Sequence, residues 1–478
     1  MATSGPTSDT AIALDLQRLL RGKTRSAAEL ATALQVSQPT VSRAIRSLSL
    51  TVATFKVAGE RAPRYALLRQ LPGGLNPRQK IYRYLSTGSI EPFADVEFLA
   101  DGATVERIAA FTRVYEGLPP YMAFAAPSGF LGRQLARAVA SELQFPDSLK
   151  DWNDQHRIAF LFTRGLNLSG NLVFGDVSLQ SEMQFRKLEP TPAAEKLSHY
   201  VEMATQLKAA AYGSSAGGDQ PKFLGVTEDS GHVIVKFAKL GGRMADLLAL
   251  EHLALRSLEN ADVPAAATQF LSAGDYVFLE VKRFDRVGLH GRIGMLSAGS
   301  VDDEFFGHRD TWPEFATRCE LAGYLSAADA RRIDVLAAFS ELIGNTDRHF
   351  ENISMLIGED GEYKGVAPAY DILPMRYAPI GAGVDPDLTP IEPRIGTIGA
   401  RPEVWARAAD SAERFWNAVQ TKEQAAPISP EMRDLAAVNL IAARDFVAPL
   451  LPVAGSKAGS ATTSVTTSMK KAPPRRTR

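Results

Sequence analysis

Residues 345 to 352 read Asn-Thr-Asp-Arg-His-Phe-Glu-Asn, and they follow directly on an apolar run. Two acids, two asparagines and a histidine so close together could position a hydroxyl nucleophile and hold Mg2+ on phosphate oxygens, because Asp and Asn are hard oxygen ligands. Val335, Leu336, Phe339, Leu342 and Ile343 form a helical stripe that Gly344 ends, so the octapeptide begins in a loop. Ile353–Ile357 and Tyr363–Ala367 then flank the turn Gly358–Glu362, which predicts a hairpin. With the turn centred near Asp360, Asn352 lies opposite about Pro368. Asp371 then comes within roughly 10 Å of Asn352 at the rise of a strand. Asp347, Asn352 and Asp371 are expected to converge.

Upstream elements must supply the rest of such a site. Asp347, four residues and Asn352 reproduce the spacing of a protein-kinase catalytic loop. Lys236 interrupts the apolar strand pattern of residues 231–239 and needs an anionic partner if buried. Glu251, on the following helical pattern, can supply it, as the strand lysine and helix glutamate do in kinases. Residues 212–223 are rich in small residues, and Gly217, Gly218 and Lys222 suit close approach to an anion. Each motif alone also fits a surface turn or a solvated helix; their combination favours phosphoryl transfer. His349 is expected to orient the loop or touch nucleotide, since no second histidine stands at metal-ligand spacing.

The 478 residues suggest two to four domains, and 45% hydrophobic with 22% charged residues is ordinary for a globular protein. A single cysteine, Cys319, excludes an internal disulfide and a cysteine-based zinc cluster. A cytoplasmic location is expected, without signal peptide or membrane span. Net charge is −1, but residues 15–69 carry ten Lys/Arg against three acids. Residues 455–478 add six positive charges and no acid, so only the two ends favour a polyanion. Their Ser/Thr/Gly-rich composition predicts a disordered basic tail.

Within the basic head, Ser26 and Glu29 form a capping box that starts one helix. Ser37 and Pro39 start a second, with Val41, Ile45 and Leu48 on its buried side. Gln38, Thr40, Ser42, Arg43 and Arg46 remain outside, able to contact base edges and phosphates as a helix-turn-helix does. A hairpin follows, with Arg61 and Arg64 near its tip. The segment resembles winged helix-turn-helix regulators. From 71 to 200 the pattern is weaker: 78–85 and 129–143 read as amphipathic helices, and strands are expected around Asp101-Gly102.

Residues 215–222, the Lys236 strand, Arg283-Phe284-Asp285-Arg286, the octapeptide and Ala369–Pro374 occur in the order and spacing of the HipA-like serine/threonine kinases, the toxins of HipBA-type toxin-antitoxin systems. The winged head resembles the YjjJ-like branch. The resemblance implies an α+β chain: a winged helix-turn-helix (1–70), a β-rich kinase N-terminal lobe (71–285), a mostly helical C-terminal lobe (286–454) and the tail. It implies Asp347 as catalytic base, Asn352 and Asp371 as Mg2+ ligands, and Lys236 as the ATP phosphate lysine partnered by Glu251. Gly217, Gly218 and Lys222 fall on the phosphate loop, and Ser215, or Ser214 beside it, at an autophosphorylation site. Phe284 is placed to stack on adenine. The family's usual glutamate is Lys282 here, and the motif usual after the hinge is absent from Gly291–Val301.

The implied cofactors are ATP and Mg2+. The implied partners are DNA, including the protein's own operator, a protein substrate such as an aminoacyl-tRNA synthetase, an antitoxin, and a second copy in a homodimer. The alternative reading is a transcription regulator with an ATP-sensing or inactive kinase body. A nuclease would also use acids, Mg2+ and DNA, but it leaves Lys236 and the Gly-rich loop without a purpose.

Overall fold

The computed structural model describes residues 7–57, 59–109, 111–211, 220–380, 383–421 and 427–452. The head runs α1 (Thr7–Leu20), β1 (Arg25–Ser26), α2 (Ala27–Leu34), α3 (Gln38–Ser47), β2 (Val52–Phe55) and β3 (Arg64–Leu67). The Ser26 hydroxyl accepts from the Glu29 amide, while the Glu29 carboxylate accepts from the Ser26 amide at 2.7 Å, so both free donors at the start of α2 are satisfied. Gln35 closes α2 in the left-handed region, and Ser37 caps α3 with Pro39 in its first turn. Leu16, Leu20, Leu30, Val41 and Ile45 form the core, covered by an antiparallel sheet in the order β1-β3-β2.

The next body is a five-stranded sheet in the order β7-β6-β5-β4-β8, built from β4 (Arg78–Tyr84), β5 (Ile90–Phe98), β6 (Thr104–Ile108), β7 (Phe111–Tyr115) and β8 (Leu172–Phe174). Helices α4 (Pro120–Ala125), α5 (Gly129–Leu143), α6 (Asp154–Arg164) and α7 (Gly175–Phe185) accompany it. Residues 78–85, anticipated as an amphipathic helix, are instead mostly strand β4. Ile81 and Tyr84 are both buried, three residues apart, which imitates a helical period. In a strand these residues point to opposite faces. Ile81 enters the sheet core with Phe98 and Phe162, whereas Tyr84 lies under the guanidinium of Arg292, 4.1 Å away. Burial on both faces erased the period of two.

A second antiparallel sheet, β11-β12-β10-β9, carries the candidate site. Its order follows α8 (Lys196–Ala211), β9 (Lys222–Thr227), β10 (Gly231–Lys239), α9 (Arg243–Glu259), β11 (Thr268–Ala273) and β12 (Tyr276–Lys282). Val233, Val235 and Phe237 of β10 join a cluster with Tyr200 and Ala204 of α8, and Ala238 joins the opposite cluster with Ala245 and Leu248 of α9. By this alternation Lys236 faces α9.

The hairpin β13 (Arg286–Val287) and β14 (Gly291–Arg292) leads to β15 (Gly294–Ser297), α10 (Ala298–Phe305), α11 (Trp312–Ala322) and α12 (Ala327–Ile343). Strands β16 (Ser354–Ile357) and β17 (Tyr363–Val366) form the anticipated hairpin beside β15, and α13 (Pro402–Gln420) and α14 (Pro430–Val447) close the body. One large core joins Leu250 of α9 to Trp312, Phe339, Trp405, Trp416 and Met432, so α9 is bedded in the helical body it faces. Among the described residues, no helix is long and apolar enough to cross a membrane.

Candidate active site

Lys236 is buried on β10 and donates to both carboxylate oxygens of Glu251, at 2.6 and 2.7 Å. Its ammonium also pairs with Asp371. Lys222 stands opposite it in the β9–β10 register, so two lysines lie side by side against two carboxylates. Burial alone would raise the Asp371 carboxyl, but the charges of Lys236 and Lys222 outweigh it and hold the group well below the usual carboxylate range. Burial raises the Glu251 carboxyl despite Lys236. It also lowers the Lys222 ammonium, with Asp371 opposing.

Asp347 is positioned by its own loop. Gly344 ends α12 with φ 77°, a left-handed conformation that glycine adopts without a Cβ penalty. The Asn345 side chain accepts from the Asp347 amide at 3.0 Å, and Asn352 Nδ2 donates to the Asp347 carbonyl at 2.9 Å. With its NH2 committed there, Asn352 has its amide oxygen left to offer. Asp371 itself sits at φ 53°, in a region unfavourable for a residue with a Cβ.

His349 bridges the carboxylates around it, with Nε2 3.6 Å from Asp347 and Nδ1 3.3 Å from Glu351. The Glu351 hydrogen bond, and then the negative charge of Asp347, raise the imidazole above its ordinary value. Reciprocally, His349 and then Arg309 bring Glu351 down to about 2. Neither Glu351 nor Arg309 was singled out from the sequence, since a charge beside a loop has no periodic signature.

These groups line one cleft of about 470 Å3: Lys222, Lys236, Glu251, Asp347, Asn352 and Asp371, with His349 and Glu351 at its side. Ser128, Gly129, Phe130 and Leu131, at the start of α5, wall it from the five-stranded body. Nothing in the α5 sequence distinguishes that end from any amphipathic helix. Phe284 lies outside the lining residues and packs on Tyr370, ring centroids 5.6 Å apart. Its neighbours Arg283, Asp285 and Arg286 form a buried ion cluster that also bonds the Asn167 and Leu168 carbonyls. Lys282 is exposed. Ser214, Ser215, Gly217 and Gly218, and the tail 455–478, lie outside the described residues.

In the head, Gln38, Arg43, Arg46 and Arg61 are exposed, and Thr40 and Ser42 partly so. Arg64, anticipated as a DNA contact, bonds Glu60 at 2.7 and 2.8 Å and Glu29 at 3.2 Å.

The donor set fits a divalent ion on a phosphate. Asp371 stays ionised, and Asn352 has an amide oxygen free. Among the described residues no cluster of three or more His, Cys, Asp or Glu could hold a metal alone. Mg2+ here would complete its shell with water and substrate oxygens, as is usual for this ion.

Residues 214–437 match the HipA-like C-terminal domain family, and residues 75–183 match the family described as YjjJ-like toxin, middle domain. Toxin YjjJ of Escherichia coli (strain K12) is 32% identical over 422 residues, covering 85% of this chain and 92% of that toxin. Two solved structures have weaker similarity. The Shewanella oneidensis MR-1 toxin-antitoxin complex of HipA, HipB and operator DNA gives 13% identity and a TM-score of 0.42, covering 77% of this chain and 99% of that one. The Helicobacter pylori proinflammatory kinase CtkA gives 10% and 0.34, covering 49% and 94%. The chain thus falls in the HipA-like class of toxins. Within that class it belongs to the YjjJ-like family.

Proposed function

We propose that this protein is an ATP- and Mg2+-dependent protein serine/threonine kinase fused to a DNA-binding head. The observation that carries the reading is Lys236, held between Glu251 and Asp371 in the cleft that Asp347 and Asn352 also line. Lys236 and Lys222 bind ATP phosphates, and Glu251 fixes the direction of the Lys236 ammonium. Asn352 and Asp371 are the residues to hold Mg2+, which neutralises charge on the phosphates when bound. Asp347 takes the proton of the substrate hydroxyl. That oxygen bonds to the γ-phosphorus as the bond to the β–γ bridging oxygen breaks, and ADP leaves. Lys236 pairs with one carboxylate oxygen of Asp371, and the other would be the oxygen to hold a metal.

The self-modified residue in this reading is Ser214 or Ser215. Growth inhibition follows from phosphorylating a translation-related protein, with an aminoacyl-tRNA synthetase as the default class by family resemblance. The head is read as a winged helix-turn-helix that lays α3 in the major groove, with Gln38, Arg43 and Arg46 as its exposed polar contacts. It would bind the protein's own operator, as a homodimer, with an antitoxin as a further partner.

ADP release tests the chemistry. Wild type with ATP and Mg2+ releases ADP, while Asp347→Ala, Asp371→Ala and EDTA-treated wild type do not. Equal release by Asp347→Ala would contradict the role of the base. A second reading, a DNA-binding regulator with an ATP-sensing or inactive kinase body, draws on Phe284 standing outside the cleft lining. It predicts nucleotide-sensitive DNA binding without ADP release.

A further inference from the structure

A second cavity, of about 440 Å3, lies where the five-stranded body, the β9–β10 end and the β13–β14 hairpin meet. Its lining residues are distinct from those of the cleft. Arg186, Lys187, Arg286 and Arg292 line its wall with the acid Glu189, and behind the wall Arg286 and Arg292 are paired with Asp285 and Glu182.

Three of the lining side chains are nearly closed off from solvent and keep an unpaired polar atom: His232 (7% exposed), Arg286 (9%) and Arg292 (5%). The unpaired atoms are His232 Nδ1, Arg286 Nε and Arg292 Nη1. Their other atoms are committed: His232 Nε2 donates to the Leu289 carbonyl at 2.9 Å, and Arg292 Nη2 bonds Glu182 at 2.5 Å. Arg286 holds Asp285 at 2.7 Å and the Gly170 carbonyl at 3.0 Å. Arg286 Nε and Arg292 Nη1 are buried donors without an acceptor, a deficit of about 1–3 kcal/mol each, whereas Nδ1 of His232, whose Nε2 carries the proton, is an acceptor without a donor. Arg186 and Arg292 both approach the Tyr84 ring, at 5.7 and 4.1 Å, which keeps two guanidinium planes ordered beside the space. Burial, and then the nearby Arg286, Arg283 and Arg292 charges, push the His232 imidazole down to about 4 against the Leu289 hydrogen bond, so the ring stays neutral.

We propose that this cavity is a binding site for the phosphate group of a small phosphorylated molecule, separate from the nucleotide cleft. Guanidinium groups match phosphate oxygens in planar pairs, and the remaining wall, with Leu224, Val226 and Leu289, is apolar enough to hold an organic portion.

Calorimetric titration of the full chain with inorganic phosphate, AMP and uncharged adenosine tests this. Wild type is expected to bind phosphate or AMP saturably. Arg186→Gln and the exposed Lys187→Gln each weaken it about tenfold or more, the worth of one charged hydrogen bond. Lys222→Gln, which alters the cleft without breaking the buried Lys236–Glu251 pair, leaves this binding unchanged. Tighter binding of AMP than of phosphate assigns an organic phosphate; equal affinity assigns the free anion. No saturable phosphate or AMP binding, binding indifferent to Arg186→Gln and Lys187→Gln, or binding lost in Lys222→Gln would overturn the proposal.

Discussion

Lys236 on β10 and Glu251 on α9 are joined by two hydrogen bonds of 2.6 and 2.7 Å in a buried setting, which fixes the second sheet to the helix bedded in the C-terminal body. Removing one partner leaves the other charge unpaired. Lys236→Met is expected to destabilise the protein by about 3–5 kcal/mol. Lys236→Met/Glu251→Gln then loses less than the sum of the single changes, read as a coupling in urea denaturation. Strict additivity would mean the pair has no energetic link.

Asp285 is buried between Arg283 and Arg286 and also accepts from the Gly170 amide at 2.8 Å. The three residues therefore tie the end of β12 to the loop before β8. Asp285→Asn is expected to cost about 3–5 kcal/mol, because two buried guanidinium groups lose their counter-charge. Hydrogen exchange measured at residues 167–171 rises in the variant. Unchanged protection there would remove the tie.

Two histidines titrate in opposite directions. The imidazole of His349, raised above 6.5 first by Glu351, contributes stability that is complete below 6.5 and is lost as pH rises through its folded value. His232, pushed down to about 4 by burial, contributes stability that is present above 6.5 and is lost as pH falls toward 4. Histidine NMR titration checks both. Glu351→Gln returns His349 toward 6.5 and leaves His232 unmoved.

Arg43 and Arg46 are exposed on α3, whereas Arg64 is held by Glu60 and Glu29. In the DNA-binding reading, Arg43→Ala or Arg46→Ala lowers affinity and reduces the salt slope of binding by about 1 if the residue contacts phosphate. Arg64→Ala leaves that slope alone and lowers the melting temperature of the head. A fluorescence anisotropy titration over a salt series separates the two.

Local chemistry explains which parts were legible in the sequence. Asp347 and Asn352 stand in one octapeptide, and the hairpin that brings Asp371 to them is marked by its own turn residues. Lys236 stands out because a cation interrupts an apolar strand. The Ser26–Glu29 box and the Ser37 cap are likewise written within four residues. What remained hidden is made by contacts distant in sequence: the burial of both faces of β4, the start of α5 against the cleft, and the Arg283–Asp285–Arg286 cluster reaching residues 167–170. Arg64 looked available for DNA because its acids lie 4 and 35 positions away, and only the folded head brings both to it.

The most direct test of the central claim is intact-mass spectrometry of purified wild type and Asp347→Ala after incubation with ATP and Mg2+, followed by peptide mapping. Wild type gains the mass of one phosphate on Ser214 or Ser215, and the variant gains none. An equal gain in both proteins, or none in either, would contradict the assignment of Asp347 as the base of an active kinase.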